Sequence, residues 1–174
     1  MKKVLLALIL VAVAVAERLW FDLGPNIELI TLTGVIASIY LGRKWGLGVA
    51  VLALVLSDLV IGNTMILVFT WSALGMIAYG GRWLKGKAWW VAGGYGLGAS
   101  LWFYFYTNFG VWLIGSLYPH TFSGLVSCYV MGLPFLRLQA MSNLIILPVG
   151  LAIIKYLNSK FWVSRWKSGA VPQL

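Results

Sequence analysis

Long apolar stretches separated by short polar or basic segments run through the whole chain. A hydrocarbon core about 30 Å thick needs roughly 20 apolar residues in a helix, with about 17 as the practical minimum. Applied to the 174 residues, this length predicts spans over 4–20, 26–42, 46–62, 64–81, 88–107 and 142–158. We therefore expect an all-α integral membrane protein, a single transmembrane domain built as a bundle of six transmembrane helices.

The stretch 108–141 differs from the predicted spans because glycine and proline interrupt its apolar character. The interruptions are Gly110, Gly115, Pro119, Gly124, Gly132 and Pro134. Non-helical backbone at membrane depth is tolerated only where protein buries it or where it lines a water-filled space. The sequence predicts a long outer connection of short or re-entrant helices between helices five and six, and a cytoplasmic tail over 159–174.

The charged residues support this division and give it a direction. Thirteen Lys and Arg residues stand against four Asp and Glu, a formal net charge of +9, and cytoplasmic loops of membrane proteins collect Lys and Arg. With the N-terminus inside, eleven of the thirteen bases fall on the cytoplasmic side, all except Arg18 and Arg137. All four acids then lie at or near the outer ends of spans. We expect a multi-pass protein of a bacterial inner membrane with both termini in the cytoplasm.

Composition excludes a water-soluble domain, since 61% of the residues are hydrophobic, 10% are charged and the mean hydropathy is +0.93. The bases lie in short clusters between apolar stretches, which favours membrane orientation over nucleic-acid binding. The lipid bilayer is therefore an expected partner. Lys2-Lys3, the apolar run and Ala14-Val15-Ala16 are also typical of a secretory signal peptide, and cleavage there is the alternative for the first span.

The sequence contains none of the common catalytic motifs: HExxH, GxSxG and Walker A are all absent. We expect no enzymatic activity, no catalytic residues and no cofactor. His120 and Cys128 are eight residues apart, which neither requires nor excludes a joint contact with a transition metal or a metallated cofactor. A buried apolar cysteine is the preferred interpretation, and no metal site is predicted.

Ionisable residues inside spans are costly, so each is a candidate for function. Asp58, near the end of the third span, has three interpretations: a substrate ligand, a partner of Arg18 or Arg137, or a cap for the next helix near Asn63-Thr64.

Glu28 follows Pro25-Asn26, a helix start signal. Its carboxylate either favours the positive end of the helix dipole or contacts substrate.

Polar and aromatic residues also gather in the predicted outer half. Aromatic rings beside an amide can stack on a flat ligand and orient its polar edge. The sequence predicts a non-covalent substrate site composed of Glu28, Asp58, Trp102, Tyr106, Asn108, Trp112, His120, Tyr129 and Asn143.

The arrangement resembles the S components of energy-coupling factor (ECF) transporters, small six-span proteins that bind vitamins or metal ions on the outer face. The general features are the compact length, Pro25-Asn26 opening the second span, residues 42–48 between spans two and three, and Leu56-Ser57-Asp58. More specific motifs, within 25–157, resemble an uncharacterised family of bacterial membrane proteins allied to that group. These are Thr107-Asn108-Phe109-Gly110-Val111-Trp112, Tyr118-Pro119, Gly124, Cys128-Tyr129 and Leu133-Pro134-Phe135.

The resemblance implies a substrate-binding membrane subunit for uptake of a small vitamin-like molecule, energised by a transmembrane coupling subunit and two cytoplasmic ATPases. S components contact the coupling subunit through small residues of the first helix. Ala12 and Ala16 form such a pair here, although Leu8 interrupts the pattern one turn earlier. The alternative is a non-transporting accessory or assembly subunit, in which the Gly94-xxx-Gly98 face of the fifth span packs against another membrane protein.

Overall fold

The computed structural model describes residues 2–21, 23–24, 27–62 and 65–167, and within them the side chains up to residue 159. These residues contain six α-helices and no strand, so the predicted all-helical class is confirmed. The helices are α1 Lys2–Ala16, α2 Ile30–Leu41, α3 Arg43–Ile61, α4 Leu67–Gly80, α5 Trp89–Ile114 and α6 Phe122–Lys167. A π-helical turn, Glu17–Phe21, follows α1, and a 3₁₀ turn, Gly81–Leu84, follows α4.

Three of the described segments are long and apolar enough to cross a membrane: Lys2–Phe21, Arg43–Ile61 and Phe122–Ser159. α2 has 12 residues and α4 has 14, which correspond to lengths of about 18 and 21 Å at a rise of roughly 1.5 Å per residue. Both fall short of a hydrocarbon core about 30 Å thick. The count of six spans therefore stays a prediction.

Successive helices run in alternating directions, and this collects charges of opposite sign at opposite ends of the bundle. One end, the acidic end, holds Glu17, Glu28 and Asp58, which Arg18 and the start of α2 bring together. The opposite end, the basic end, holds Arg43, Lys44, Arg82, Lys85, Lys87 and Lys155. The three described acids thus lie at the opposite end of the bundle from these six bases, as the sequence predicted.

Small residues allow α2, α3 and α4 to approach closely. A Cβ added to Gly46 on α3 would lie 2.6 Å from the Cβ of Ser38 and 2.8 Å from the carbonyl oxygen of Gly34, both on α2. A Cβ on Gly34 would lie 2.7 Å from the Cβ of Ala78 on α4. Close backbone approach of this kind lets helices associate through van der Waals packing. It sets the positions of the helix ends that carry the acidic residues.

This packing predicts opposite results for two glycines of α3. Gly46→Ala is expected to lower the free energy of unfolding by about 1–3 kcal/mol, because the new methyl group meets backbone atoms that cannot move aside. Gly48→Ala, with no atom within 4 Å of its Cβ position, is expected to raise it by roughly 0.5–1 kcal/mol through reduced backbone entropy. Thermal unfolding of both variants in one detergent tests the pair. Equal shifts would contradict the close approach.

The region between α5 and α6 differs from the predicted long connection. α5 continues to Ile114 and α6 begins at Phe122, so only residues 115–121 are irregular. Gly110 and Gly132, which the sequence predicted as helix breaks, instead make room for neighbouring side chains. A Cβ on Gly132 would lie 2.6 Å from Asn108 Oδ1, and one on Gly110 would overlap the Phe69 ring. Tertiary packing here overrides helix propensity.

α6 also extends into the region that the sequence predicted as a cytoplasmic tail. The helix contains Pro134 and Pro148 and continues to Lys167. The tail predicted for 159–174 is therefore helical over its first part, and residues 168–174 lie outside the described residues.

Candidate functional site

At the acidic end, an arginine joins two carboxylates from different parts of the chain. Arg18 Nη1 donates to Glu28 Oε1 at 2.8 Å, and Arg18 Nη2 donates to Asp58 Oδ1 at 2.9 Å. The Asp58 side chain is 6% exposed and that of Arg18 is 16% exposed, whereas Glu28 is 35% exposed. Trp71 Nε1 on α4 donates to the second Asp58 oxygen at 2.7 Å. Arg18, Glu28, Asp58 and Trp71 form what we call the ion network.

A third carboxylate, Glu17, lies beside the ion network and is 4% exposed. Its Oε2 accepts a hydrogen bond from the Leu29 backbone N–H at 3.0 Å. This N–H is at the start of α2, where the helix dipole favours negative charge. Glu17 and Arg18 both lie in the π-helical turn after α1, a geometry that is frequent at functional sites.

The charge of Glu28 is opposed by its surroundings and supported by Arg18. Glu28 lies just before α2, outside the described helices. Desolvation raises the pKa of Glu28 above the usual carboxyl value, and the Arg18 guanidinium acts in the opposite direction. The Arg18 guanidinium therefore offsets part of the cost of desolvating this carboxyl group.

A cavity of about 410 Å³, the acidic-end cavity, opens beside the ion network. Its volume falls within the range of small-molecule sites, about 300–1,000 Å³. Arg18, Glu28 and Asp58 line one side of it. The other polar groups in its wall are Thr70, Thr107, Asn108, Tyr118, Cys128 and Gln139. Between them lie aliphatic and aromatic side chains, so the wall combines an apolar surface with a few polar groups, as ligand sites do.

Asn108 is held in the cavity wall by contacts with α5 and α6. Its Nδ2 donates to the Tyr104 carbonyl oxygen at 2.8 Å. The Cys128 thiol donates to the Asn108 backbone carbonyl, with sulfur and oxygen 3.3 Å apart. Gly132 leaves room for the Asn108 amide, as described above. The amide position therefore depends on the absence of a side chain at residue 132.

Two polar atoms of the ion network retain hydrogen-bonding capacity. Arg18 Nε is buried and has no hydrogen-bond partner among the described residues. Of the Glu28 oxygens, Oε1 takes the bond from Arg18, and no bond within the described residues reaches Oε2. A buried donor without a partner costs about 1–3 kcal/mol. A ligand or water that supplies an acceptor to Arg18 would recover this energy.

Three of the nine predicted substrate-binding residues line the acidic-end cavity: Glu28, Asp58 and Asn108. The other six are not in its wall. Trp102 stacks on Tyr106, with ring centroids 5.2 Å apart and planes 16° from parallel. The Tyr106 hydroxyl accepts a hydrogen bond from Ser72 Oγ on α4 at 3.3 Å. This pair therefore belongs to the contact of α5 with α4.

The remaining four predicted residues make structural contacts. Asn143 Nδ2 donates to Ser100 Oγ at 3.0 Å in the buried contact of α5 with α6. Tyr129 donates from its hydroxyl to the Phe105 carbonyl at 3.0 Å. Trp112 Nε1 donates to the Pro119 carbonyl at 3.1 Å. The Trp112 and His120 rings form a T-shaped pair with their centroids 5.6 Å apart. These bonds stabilise the helix pair and its connecting loop.

Of the interpretations of Asp58, the pairing with Arg18 is confirmed. The proposed cap near Asn63-Thr64 lies outside the described residues. For Glu28, the helix start at Pro25-Asn26 lies outside them too, so its interaction with the helix dipole stays a prediction.

Within the described part of the chain, no hydrogen bond joins His120 to Cys128. His120 meets Trp112, and Cys128 meets Asn108. The residues that the structure describes contain no group of three or more His, Cys, Asp or Glu side chains that could hold a metal ion.

The predicted substrate site did not include Glu17, Trp71, Thr107 or Gln139. Thr107 adjoins Asn108, and Glu17 adjoins Arg18, so their neighbours were the available signal. Trp71 and Gln139 reach the site only through the packing of α4 and α6, which no local pattern shows.

Residues 1–169 match a protein-family profile whose description is DUF6580, a family of unknown function. The chain belongs to the DUF6580 family. The match includes every residue of the ion network and of the acidic-end cavity. Neither curated proteins nor solved structures gave a match to this DUF6580 chain. The function must therefore be argued from the geometry of the site.

Proposed function

We propose that this DUF6580 protein is a substrate-binding membrane subunit, similar to an S component, for uptake of a small vitamin-like molecule energised by separate subunits. The observation that carries the proposal is the acidic-end cavity of about 410 Å³, with Arg18, Glu28 and Asp58 of the ion network in its wall. Buried charged groups beside a cavity of ligand size are expensive to maintain, and they occur most often at functional sites.

The proposed location is a bacterial inner membrane, crossed six times, with both termini in the cytoplasm. The basic end then faces the cytoplasm, because Lys and Arg accumulate on that side. The acidic-end cavity faces outward and receives substrate from there. Residues 115–121 connect α5 to α6, and Leu117 and Tyr118 of this loop line the cavity, so the loop serves as its cover.

Binding in the cavity is non-covalent. The Asn108 amide and Glu28 Oε2 offer hydrogen bonds, and Phe103 and Tyr104 offer aromatic surface. The charged groups in the wall are one guanidinium and two carboxylates, a net negative charge that favours a ligand carrying a positive or donor-rich group. The substrate we propose is therefore a small organic molecule with an apolar body and such a polar end.

Release toward the cytoplasm requires energy from partner subunits, a transmembrane coupling subunit and ATPases in this proposal. α1 offers a surface for docking, because an apolar face of the helix is exposed along its length. Ala12 lies on the exposed side, close to Leu8, Ile9 and Val13, while Ala16 is half-buried. Ala12 is thus the better placed member of the predicted pair.

Native mass spectrometry of the detergent-purified protein tests the proposal. We expect a co-purifying small molecule in the unaltered protein and its loss in Asn108→Ala and Asp58→Asn. Trp102→Ala, an exposed residue outside the cavity, is the matched control and should retain the molecule. Retention in both cavity variants, with unchanged thermal stability, would rule out the acidic-end cavity as the substrate site.

A second candidate function is an assembly subunit, and the exposed glycines of α5 favour it. No atom lies within 4 Å of a Cβ placed on Gly94 or Gly98, whereas Gly93 and Gly96 pack against α6. A partner helix would fit against this open glycine face. Gly94→Leu would then release the partner subunit, which native mass spectrometry would detect. Gly86→Leu is not a suitable control, because the positive backbone φ of Gly86 would strain a leucine. Gly48→Leu, equally open on α3, is the suitable control.

A further inference from the structure

A second cavity, the basic-end cavity, lies at the other end of the bundle and has a volume of about 320 Å³. It is formed by the end of α2, residues 84–88, the start of α5 and one face of α6. Three lysines line it: Lys85, Lys87 and Lys155. They come from two segments about 70 residues apart in the chain, so the fold itself brings the three charges together.

Among the described residues, no carboxylate forms an ion pair with these lysines. The four acids of the chain are Glu17, Asp22, Glu28 and Asp58, and the three that the structure describes lie at the acidic end. Both ion pairs among the described residues belong to Arg18. Lys87 lies over the Trp83 ring at 5.4 Å, which leaves its charge in place. The cavity wall therefore carries uncompensated positive charge, which attracts an anion.

The backbone around residue 86 also favours an anion in the basic-end cavity. Gly86 has a φ of +79°, and the turn at this residue places Lys85 and Lys87 on either side of it. Arg82 braces the turn by donating to the Ile39 carbonyl at 2.6 Å. Ala88 and Trp89, at the start of α5, line the cavity, so the positive end of the helix dipole is adjacent to it.

The remaining wall is apolar and aromatic. Ile39, Ala92 and Leu151 contribute aliphatic surface, and Tyr40 and Trp89 are exposed beside them. Tyrosine and tryptophan favour the headgroup region of a bilayer. An anion alone would not use this surface, whereas a phospholipid would place its phosphate at the lysines and its glycerol and acyl chain along the apolar wall.

We propose that the basic-end cavity binds the phosphate group of an anionic phospholipid. Lysine is a common phosphate ligand and acts as a point charge, and basic pockets between membrane helices bind lipid head groups. The same phosphate chemistry is present in soluble phosphorylated compounds, and the experiment separates the two sources. The proposal is independent of the substrate site, because the two cavities share no residue.

The test compares Lys85→Ala/Lys87→Ala/Lys155→Ala with Lys2→Ala/Lys3→Ala/Lys44→Ala, which removes the same charge elsewhere on the proposed cytoplasmic side. Each protein is titrated in neutral detergent with dioleoylphosphatidylglycerol, and separately with dioleoylphosphatidylcholine, and bound lipid is counted by native mass spectrometry. We expect affinity for the phosphatidylglycerol to fall about tenfold or more in the first variant only, since each lysine near an anionic group contributes several-fold.

Inorganic phosphate and glycerol 3-phosphate provide the second arm. If neither displaces the phosphatidylglycerol at low millimolar concentration, the lipid is the ligand. If either one binds the unaltered protein without lipid, and does so through the three lysines, a soluble phosphate compound is the source. Equal lipid affinity in the two triple variants, or equal affinity of the unaltered protein for phosphatidylglycerol and phosphatidylcholine, would overturn the proposal.

Discussion

Replacing Arg18 by Met is expected to lower the free energy of unfolding by about 3–5 kcal/mol, the cost of removing one partner from a buried ion pair. Arg18 is largely buried and holds Asp58, which is 6% exposed. Without the guanidinium, Asp58 keeps the hydrogen bond from Trp71 but loses its compensating charge. Glu28 adds less to the effect because its side chain is more exposed.

Thermal or chemical unfolding in a single detergent measures this effect. Arg43→Met is the control, because Arg43 is exposed at the basic end and its guanidinium lies over the Tyr79 ring, 5.5 Å from the ring centroid. Its effect should remain below about 1 kcal/mol. The double variant Arg18→Met/Asp58→Asn removes both buried charges and should recover part of the lost stability. A double variant less stable than Arg18→Met would show that Asp58 does not depend on Arg18.

Gly132→Ala is expected to reduce ligand affinity about tenfold or more, although residue 132 contributes no polar group of its own. The new Cβ would lie 2.6 Å from Asn108 Oδ1 and 3.0 Å from Nδ2. The end of a side chain can move away from such a contact, so the amide turns out of its place while the helices stay packed. Gly132→Ala therefore separates the orientation of Asn108 from the stability of the fold.

Gly98→Ala is the control for this substitution, because its Cβ would meet no atom within 4 Å. Equilibrium titration with the molecule identified by native mass spectrometry gives the affinities, and thermal unfolding shows whether the folds are equally stable. Unchanged affinity in Gly132→Ala would remove Asn108 from the site. The ion network could still bind substrate in that case, and Asp58→Asn would decide it.

The charges made the ends of the bundle predictable from the sequence. Three acids and Arg18 had to meet at one end because the helices alternate in direction, and Asp58 had few bases within reach. The sequence left three interpretations of Asp58 open, and the structure shows the pairing with Arg18. On an apolar chain with few charges, the possible ion-pair partners of an acid are fewer than on a highly charged protein.

The glycines and the aromatic residues were harder to interpret. Gly110 and Gly132 occupy contacts between helices, and their sequence pattern is the same as that of helix breaks. Tyr106 and Asn108 are two residues apart in sequence but point to different sides of α5, because two positions in a helix correspond to a rotation of about 200°. Neighbours in the chain were therefore a poor guide to neighbours in the cavity.

Arg18 lies in the helical segment that begins with α1, and its guanidinium binds two carboxylates in the cavity wall, Glu28 and Asp58. A cationic ligand that competes for Asp58 must also weaken the attachment of α1 to the rest of the bundle. Such coupling is reciprocal, so a partner that pulls α1 away would lower the ligand affinity by the same factor. Through Arg18, the separation of α1 from the bundle and the release of substrate would then be thermodynamically coupled.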